Sequence, residues 1–553
     1  MTEIKLMKDV PVPMRDGLNL AANVYLPDTP GKYPVIMAFT PFGKDVYWNE
    51  KNYGWGQAYE PWSPTITGSI TFEANDPEFW CHYGYAIMIV DPRGCNRSPG
   101  TFPVAELDGA PGEQANIGEG RWARDQYDAI EWAGVQDWSN GNVALSGVSV
   151  YAFSQWRVAG MNPPHLKCLN PWEGMTDYYR DCMAPGGIRE TEFTNPVGHH
   201  GHRTATFPPA WEAPENEDPP KADLKTEDEF LPLITQPTLI CGNWADHGCH
   251  TRGSFKAFRL ISSEQKWLYT HGHQKWGEFY CSEARTYRKW FFDHFLKGSD
   301  DRILRIPKVS LAIMDTMDVY SLRFEDDYPI PGTEAVKFFL SASDNGMHAS
   351  FVPEEGNISY DSGDGHAAFE YTFTEDTELI GPSALKIWVS AEETEDMDLF
   401  ATLRKFDRED REIRLDSVVC PRNMPVAVGW MRASLRELDP DISTPQEPYQ
   451  KRVIGPGEKI KPGEIVPCEI AVWPAGMLFK AGEKMRVEIA GKYRSGDAAA
   501  WQEFHYQEPT NKGLHTVYTG GKYDSYFIVP LKKKRQELSG FSDRSEVICH
   551  PLG

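Results

Sequence analysis

Residues 142–160, NVALSGVSVYAFSQWRVAG, constrain the architecture more than any other passage of the chain. An apolar run ends at a glycine-flanked serine, and apolar residues at helical spacing follow. The pattern predicts a strand, a sharp turn and a helix, with the Ser149 hydroxyl presented at the strand's carboxyl end. Gly147, two residues before the serine, and Ala152, three after it, leave the turn room that bulkier side chains would fill. The strict GxSxG pattern is not met, because Tyr151 stands where its last glycine belongs. A serine after glycine also serves as an ordinary turn residue, so the reading depends on what surrounds it.

The surroundings are those of a mixed α/β sheet. VIMAF at Val35 to Phe39 and YAIMIV at Tyr85 to Val90 are continuous apolar runs, as in strands covered on both faces. ARDQYDAIEWAGVQ carries Tyr127, Ile130, Trp132 and Val135 at near-helical spacing. Strands resume at PTLICGNWAD and KWLYTHGH, and TYRKWFFDHFLKGSD, with Trp290, Phe291, Phe295 and Leu296, reads as an amphipathic helix ending near Gly298. Residues 169–233 are rich in Pro, Gly, acids and aromatics with weak periodicity and are expected to form a helical lid over the site. From 307 the texture changes to short alternating strands such as ALKIWVSA, LFATLRKF and MRVEIAGKY, which suggests a jelly-roll β-sandwich. A chain of 553 residues exceeds what one core supports, in keeping with this division.

Activating a serine requires a base within hydrogen-bond reach, a carboxylate to orient that base, and donors aimed at the developing oxyanion. On an α/β-hydrolase sheet these follow in the order Ser, Asp or Glu, His, each at a strand's carboxyl end. LICGNWADHGCH places Asp246 just past one apolar strand, and KWLYTHGHQKW places His271 and His273 just past the next. The expected site is therefore Ser149, Asp246 and His271, with His273 as the alternative base and the N–H of Val150 as an oxyanion donor.

The segments VPMRDGLNLAANVYLP, PFGKD, YGYAIMIVDPRGCNRSPG, YDAIEWAGVQDWSNGNVALSGVSVYAFSQW and PPHLKCLNPWEGMTDYYRD resemble the cocaine esterase family. That family includes α-amino-acid ester hydrolases and is related to Xaa-Pro dipeptidyl-peptidases; FFDHFLKG and FTEDTELIGPSALKIWVSAEETEDMDLFATL resemble its continuation. The resemblance implies an α/β-hydrolase catalytic domain in two parts, 1–168 and 234–306, interrupted by the lid at 169–233 and followed by the sandwich at 307–553. It transfers the nucleophile to Ser149 and the aspartate to Asp246. Many members end the later strand with GPWxH, whereas this chain reads HGHQKW; a gapless overlay puts Lys275 at that histidine, so His271 or His273 is expected to serve. Members also carry an oxyanion tyrosine in PYxK where this chain has Phe42, which cannot donate a hydrogen bond. A backbone N–H at Phe42 or Gly43, or the hydroxyl of Tyr47 or Tyr151, is the expected substitute. Trp172, Tyr178 and Tyr179 are expected to line an apolar pocket, with Glu173 able to hold a free amine.

These residues suit two-step acyl transfer from an ester or amide of a small hydrophobic molecule. Alternatives are an acyltransferase or cyclase using the same serine, an Xaa-Pro dipeptidyl-peptidase, and a ligand-binding relative without turnover. A formal charge of −24 argues against a nucleic-acid partner, and no apolar run approaches a membrane span. The polar N-terminus lacks a signal-peptide core, so a cytoplasmic location is expected; homo-oligomerisation is left open. The ten cysteines lie scattered, as reduced thiols do. HHGH at His199 to His202, with His247 and His250, lacks an HExxH frame and reads as pocket lining, so no metal and no cofactor are expected. DPRGCNRSPG has no phosphate-binding glycine pattern; its Asp91 and Arg93 are expected to pair with each other. EETEDMD at Glu392 to Asp398 reads as a solvated acidic loop.

Overall fold

The computed structural model describes residues 4–47, 67–100, 121–177, 179–190, 230–415, 424–451, 457–494 and 511–533. Its first half is one sheet with helices against it. The strands are β1 (Ile4–Pro13), β2 (Asn19–Pro27), β3 (Tyr33–Phe39), β4 (Ala86–Val90), β5 (Ser139–Val148), β6 (Leu166–Trp172), β7 (Thr238–Asn243), β8 (Lys266–His271) and β9 (Val309–Met314). The helices are α1 (Pro77–His82), α2 (Arg121–Gly134), α3 (Val150–Gly160), α4 (Thr251–Leu260), α5 (Lys275–Tyr280) and α6 (Ser282–Phe292).

Strand pairing runs β1–β2–β4–β3–β5–β6–β7–β8–β9. β2 is antiparallel to β1 and β4, and from β4 to β9 all neighbours are parallel. Every residue of β4, and of β3 after Tyr33, is buried, which is why these strands read as unbroken apolar runs rather than alternating ones. The chain leaves β3 for β4 on one side and returns to β5 on the other. That reversal opens a crevice at the carboxyl ends of β3 and β5, where ligands bind in open α/β sheets, and Ser149 follows β5 directly.

Local signals agree with these elements. Asp76 caps α1 by accepting from the Glu78 N–H at 3.1 Å, with Pro77 at the first helical position. α6 buries Trp290 and Phe291, and the turns that continue it end at Gly298, whose φ of +64° is the left-handed stop the sequence suggested. β6 runs to Trp172, so the first four residues of the expected insertion belong to the sheet; most of the remainder, 191–229, lies outside the described residues.

After β9 the described elements are strands and one short helical turn at Ala433–Leu435; the strands pair antiparallel except where Gly346–His348 meets His366–Thr372 and where Val466–Phe479 meets β9. The strand Thr377–Ala391 pairs with Val466–Phe479 on one edge and with Leu514–Thr519 and Tyr526–Lys533 on the other. A second group joins His366–Thr372, Lys484–Ala490, Asp398–Phe406 and Ala427–Arg432. These strands pack directly against the first half: a Cβ at Gly476 would lie 2.5 Å from the Trp244 ring, and His247 Nε2 lies 3.0 Å from Val426 O.

Two expected charge arrangements are corrected. Arg93 pairs with Asp125 and Asp16, while the Asp91 carboxylate accepts the backbone N–H groups of Lys44 at 2.8 Å and Arg97 at 3.2 Å. Asp91 sits at the end of β4, where unsatisfied backbone donors need an acceptor more than the arginine does. In the acidic run Glu392, Glu393 and Glu395 are exposed as expected, but Asp396 pairs with Lys459 and buried Asp398 with Arg432, both at 2.8 Å, so these two acids tie segments together rather than face water. Among the described residues no helix is long and apolar enough to cross a membrane.

Candidate active site

Ser149 has φ +60° and ψ −113°, a strained conformation that turns the chain sharply from β5 into α3. The turn brings Gly147 onto Tyr151: a Cβ on Gly147 would lie 2.6 Å from the Tyr151 Cβ, so only glycine fits. Ala152 is small for a parallel reason, since a Cβ at Gly174 would already lie 3.0 Å from its methyl group. The Ser149 N–H is tied to Trp172 O at 3.0 Å, and Val148 N–H to Glu73 O at 3.2 Å. The hydroxyl makes no helix cap. It lies 3.0 Å from His250 Nε2.

His250 in turn places Nδ1 2.5 Å from Asp246 Oδ2. One loop supplies both groups. It folds back after β7 with the N–H groups of His250 and Thr251 on Asp246 O, at 3.1 and 3.2 Å, which puts carboxylate and imidazole on one side. Ser149 and Asp246 therefore come together as expected, but the imidazole between them is His250, not His271 or His273. His271 Nε2 bonds Glu173 Oε1 at 3.1 Å, and His273 Nδ1 faces Glu278 Oε2 at 3.3 Å. The end of β8 aims His271 at the buried Glu173, and that carboxylate holds it there. A histidine four residues after the aspartate was the available signal for His250.

Lys275 completes the cluster, with Nζ 3.1 Å from Asp246 Oδ2 and 3.2 Å from His250 Nδ1. Burial pushes Asp246 up, but the Lys275 ammonium and His250 outweigh it and hold the carboxyl well below its usual range. For His250, burial pulls down, a Cys249 thiolate and Asp246 pull up, the Lys275 ammonium pulls down, and the sum lies upward at about 9. Burial also pushes the Cys249 thiol well up, so near pH 7 it is neutral and its upward pull is absent. With the thiol neutral, Asp246 pulls the imidazole up against burial and the Lys275 ammonium, which pull it down. Glu73, fully buried, has one oxygen on Trp276 Nε1 at 3.0 Å and is raised by burial to about 7. Nothing in the sequence singled it out.

The Val150 N–H begins α3, where no intrahelical acceptor exists, and it lies beside the serine. The Phe42 N–H donates to Thr40 Oγ1 at 3.2 Å, and the Phe42 ring packs edge-on against Phe72. Gly43 has φ +106°, and a Cβ there would lie 2.8 Å from the Val46 side chain. The Tyr151 hydroxyl bonds Thr40 Oγ1 and Phe72 O at 2.5 and 2.8 Å, and the Tyr47 hydroxyl faces that of Tyr25 at 3.3 Å. Trp172 is buried in the core against His271, and Glu173 is held by His271 and by Asn243 Nδ2 at 3.0 Å. Neither lines an open pocket: β6 carries Trp172 beneath its neighbours, and a satisfied buried carboxylate is not available to an amine. Tyr178 lies outside the described residues. Glu173, Cys241 and His271 have ligand atoms within 4.8 Å of one another, but a cation there would replace the Glu173–His271 hydrogen bond.

A parallel sheet turning into a helix at a strained serine, with an aspartate after a later strand, defines an α/β-hydrolase-like scaffold. Residues 16–216 match the X-Pro dipeptidyl-peptidase (S15) family, and residues 303–528 match the X-Pro dipeptidyl-peptidase C-terminal non-catalytic domain. A solved CocE/NonD family hydrolase of Staphylococcus aureus is 34% identical, with a TM-score of 0.81 over 96% of this chain and 94% of that one. The chain belongs to the CocE/NonD family of hydrolases. The cocaine esterase of Rhodococcus sp. (strain MB1 Bresler) is 26% identical over 396 residues, spanning 61% of this chain and 62% of the esterase. The fold extends to an α-amino acid ester hydrolase, at 15% identity and a TM-score of 0.65 over 96% and 97% of the two chains.

Proposed function

We propose that the chain is a serine hydrolase that cleaves a carboxylic ester of a small molecule through an acyl-enzyme on Ser149, with His250 as the base. The observation that carries this reading is the contact of Ser149 Oγ with His250 Nε2 at 3.0 Å, backed by Asp246 at 2.5 Å on the other ring nitrogen. Asp246 is ionised and cannot donate, so Nδ1 carries the proton and Nε2 keeps the lone pair that faces the serine. Ser149 attacks the ester carbonyl as its proton passes to His250 Nε2. Asp246 stabilises the imidazolium, and the Val150 N–H stabilises the oxyanion. His250 returns the proton to the departing alcohol, and water attacks the acyl-enzyme by the same route. The division into a catalytic part interrupted after Trp172 and a jelly-roll β-sandwich belongs to this proposal, with the sandwich beginning after β9 rather than at 307, because β9 pairs parallel with β8 in the first sheet.

A second reading, cleavage of a peptide or other amide, is favoured by the S15 match over residues 16–216. A panel of esters, amides and Xaa-Pro dipeptide substrates separates the two. Ester turnover that disappears in Ser149→Ala, together with fluorophosphonate labelling of Ser149, is the expected result. Undiminished turnover in Ser149→Ala would overturn both readings.

A further inference from the structure

Lys275 touches both Asp246 and His250, yet the proposed chemistry gives it no task. It is almost fully buried, the first residue of α5, and its backbone is fixed by Gln274, whose side chain accepts the N–H groups of Trp276 and Gly277, both at 2.9 Å. Its Nζ reaches the same Asp246 oxygen that receives His250 Nδ1. An ammonium has three donors and no acceptor, so it can bond that oxygen but can only oppose a second positive charge on the imidazole 3.2 Å away. The groups facing His250 are Asp246 on its own loop, the neighbouring Cys249 thiol 3.3 Å from Nε2, Ser149 at the start of α3, and Lys275 on α5. Glu173 and Glu73 act on Lys275 as negative charges that favour its ammonium.

We propose that Lys275 is a positioning residue: its buried ammonium shares Asp246 Oδ2 with His250 and so keeps the carboxylate ionised and the imidazole an uncharged acceptor for the Ser149 proton. The burial of this ammonium is tolerated because Asp246 pairs with it at 3.1 Å and the negative charges of Glu173 and Glu73 favour it too. Without it, the imidazolium is the only cation left to balance Asp246. The base would then be filled with a proton at a pH where the parent enzyme is free. The proposal rests on the reading of Ser149, His250 and Asp246 as the catalytic groups.

The test is the pH profile of kcat/KM on p-nitrophenyl acetate, for the full-length parent, Lys275→Met and Lys275→Arg. A like charge within about 4–6 Å shifts an ionisation by about 1–3 pH units. The acid limb of Lys275→Met is therefore expected to move upward by that amount, with activity recovering at high pH, while Lys275→Arg keeps the parent limb. Should Lys275→Met not fold, judged by near-UV circular dichroism, Lys275→Gln reads the same limb. An unmoved limb, with Ser149→Ala and His250→Gln both inactive, would overturn the proposal and leave the catalytic reading standing. So would loss of activity at every pH in a folded Lys275→Met, which would make the amine itself the base. Full activity in Ser149→Ala would instead remove the reading on which the proposal rests.

Discussion

His250 and His271 can be separated by exchanging each for glutamine. In His250→Gln the acceptor 3.0 Å from Ser149 Oγ is replaced by an amide that cannot take up a proton, and Asp246 is left with a partner that cannot become an imidazolium. Losing one member of such a unit costs about 10⁴ to 10⁶ in kcat, with binding largely retained. In His271→Gln the chemistry loses nothing. What changes is a buried hydrogen bond to Glu173 at 3.1 Å and a ring stacked on Trp172 at 6.2 Å. A glutamine N–H can still reach Glu173, so the cost falls on stability, about 1–3 kcal/mol if the carboxylate is left short of a donor. Measured on one ester, kcat/KM should fall by at least about 10⁴ in His250→Gln and stay within about tenfold in His271→Gln, whose thermal midpoint drops instead. Fluorophosphonate labelling should follow the same split. Equal loss of turnover in a folded His271→Gln would refute the assignment, because it would require the imidazole now on Glu173 to swing onto the serine.

Three further outcomes follow from the same geometry. Gly147→Ala forces Tyr151 and the start of α3 away from a 2.6 Å contact, and a displacement of about 1 Å at the nucleophile costs about a hundredfold in kcat; parent-like kcat in a folded variant would show that the elbow tolerates the shift. Phe42→Tyr supplies a hydroxyl where members of the family carry one, and ester kcat should rise by up to about a hundredfold; no rise on simple esters would place that ring outside the oxyanion site. Glu73 is raised from 4.5 to about 7 by burial, so its contribution to stability is present below pH 4.5 and lost as pH rises to about 7. The stability of Glu73→Gln relative to the parent should therefore grow across that window, by about 3 kcal/mol, and a flat difference in denaturation midpoints would contradict it.

The sheet was legible because its signals are local. β3 and β4 carry unbroken apolar runs that are buried, and the glycine-flanked serine does turn from a strand into a helix. Asp246 was legible for the same reason, lying just past β7. The imidazole was not, because strand ends nominate several histidines and cannot say which one a loop folds back. His271 does stand at the end of β8, yet Glu173, which the sequence offered as an amine ligand, holds it. Only the turn after β7, closed by His250 N–H on Asp246 O, brings its imidazole onto the carboxylate. A four-residue spacing is compatible with that turn but does not require it. Lys275 shows the complementary case: an overlay on the family put it at the missing histidine, and its ammonium does stand beside Asp246, as a cation rather than a base.

The loop that carries Asp246 and His250 also explains how the β-rich second half bears on the chemistry. Its Trp244 stacks on Phe255 of α4 at 4.3 Å and fills the space that Gly476 leaves open on the strand Val466–Phe479. Its His247 Nε2 bonds Val426 O at 3.0 Å, and burial pulls that imidazole down to about 4, so it stays neutral and donates to the carbonyl without a charge to solvate. Residues on both sides of Asp246 are thus clamped to strands far away in sequence, while Asp246 itself faces His250 and Lys275. A contact of 2.5 Å between a carboxylate and an imidazole holds its length only if the backbone beneath it is fixed, because an error of about 1 Å at such a site costs about a hundredfold. The later strands hold none of the reacting groups, and they supply that fixity from behind.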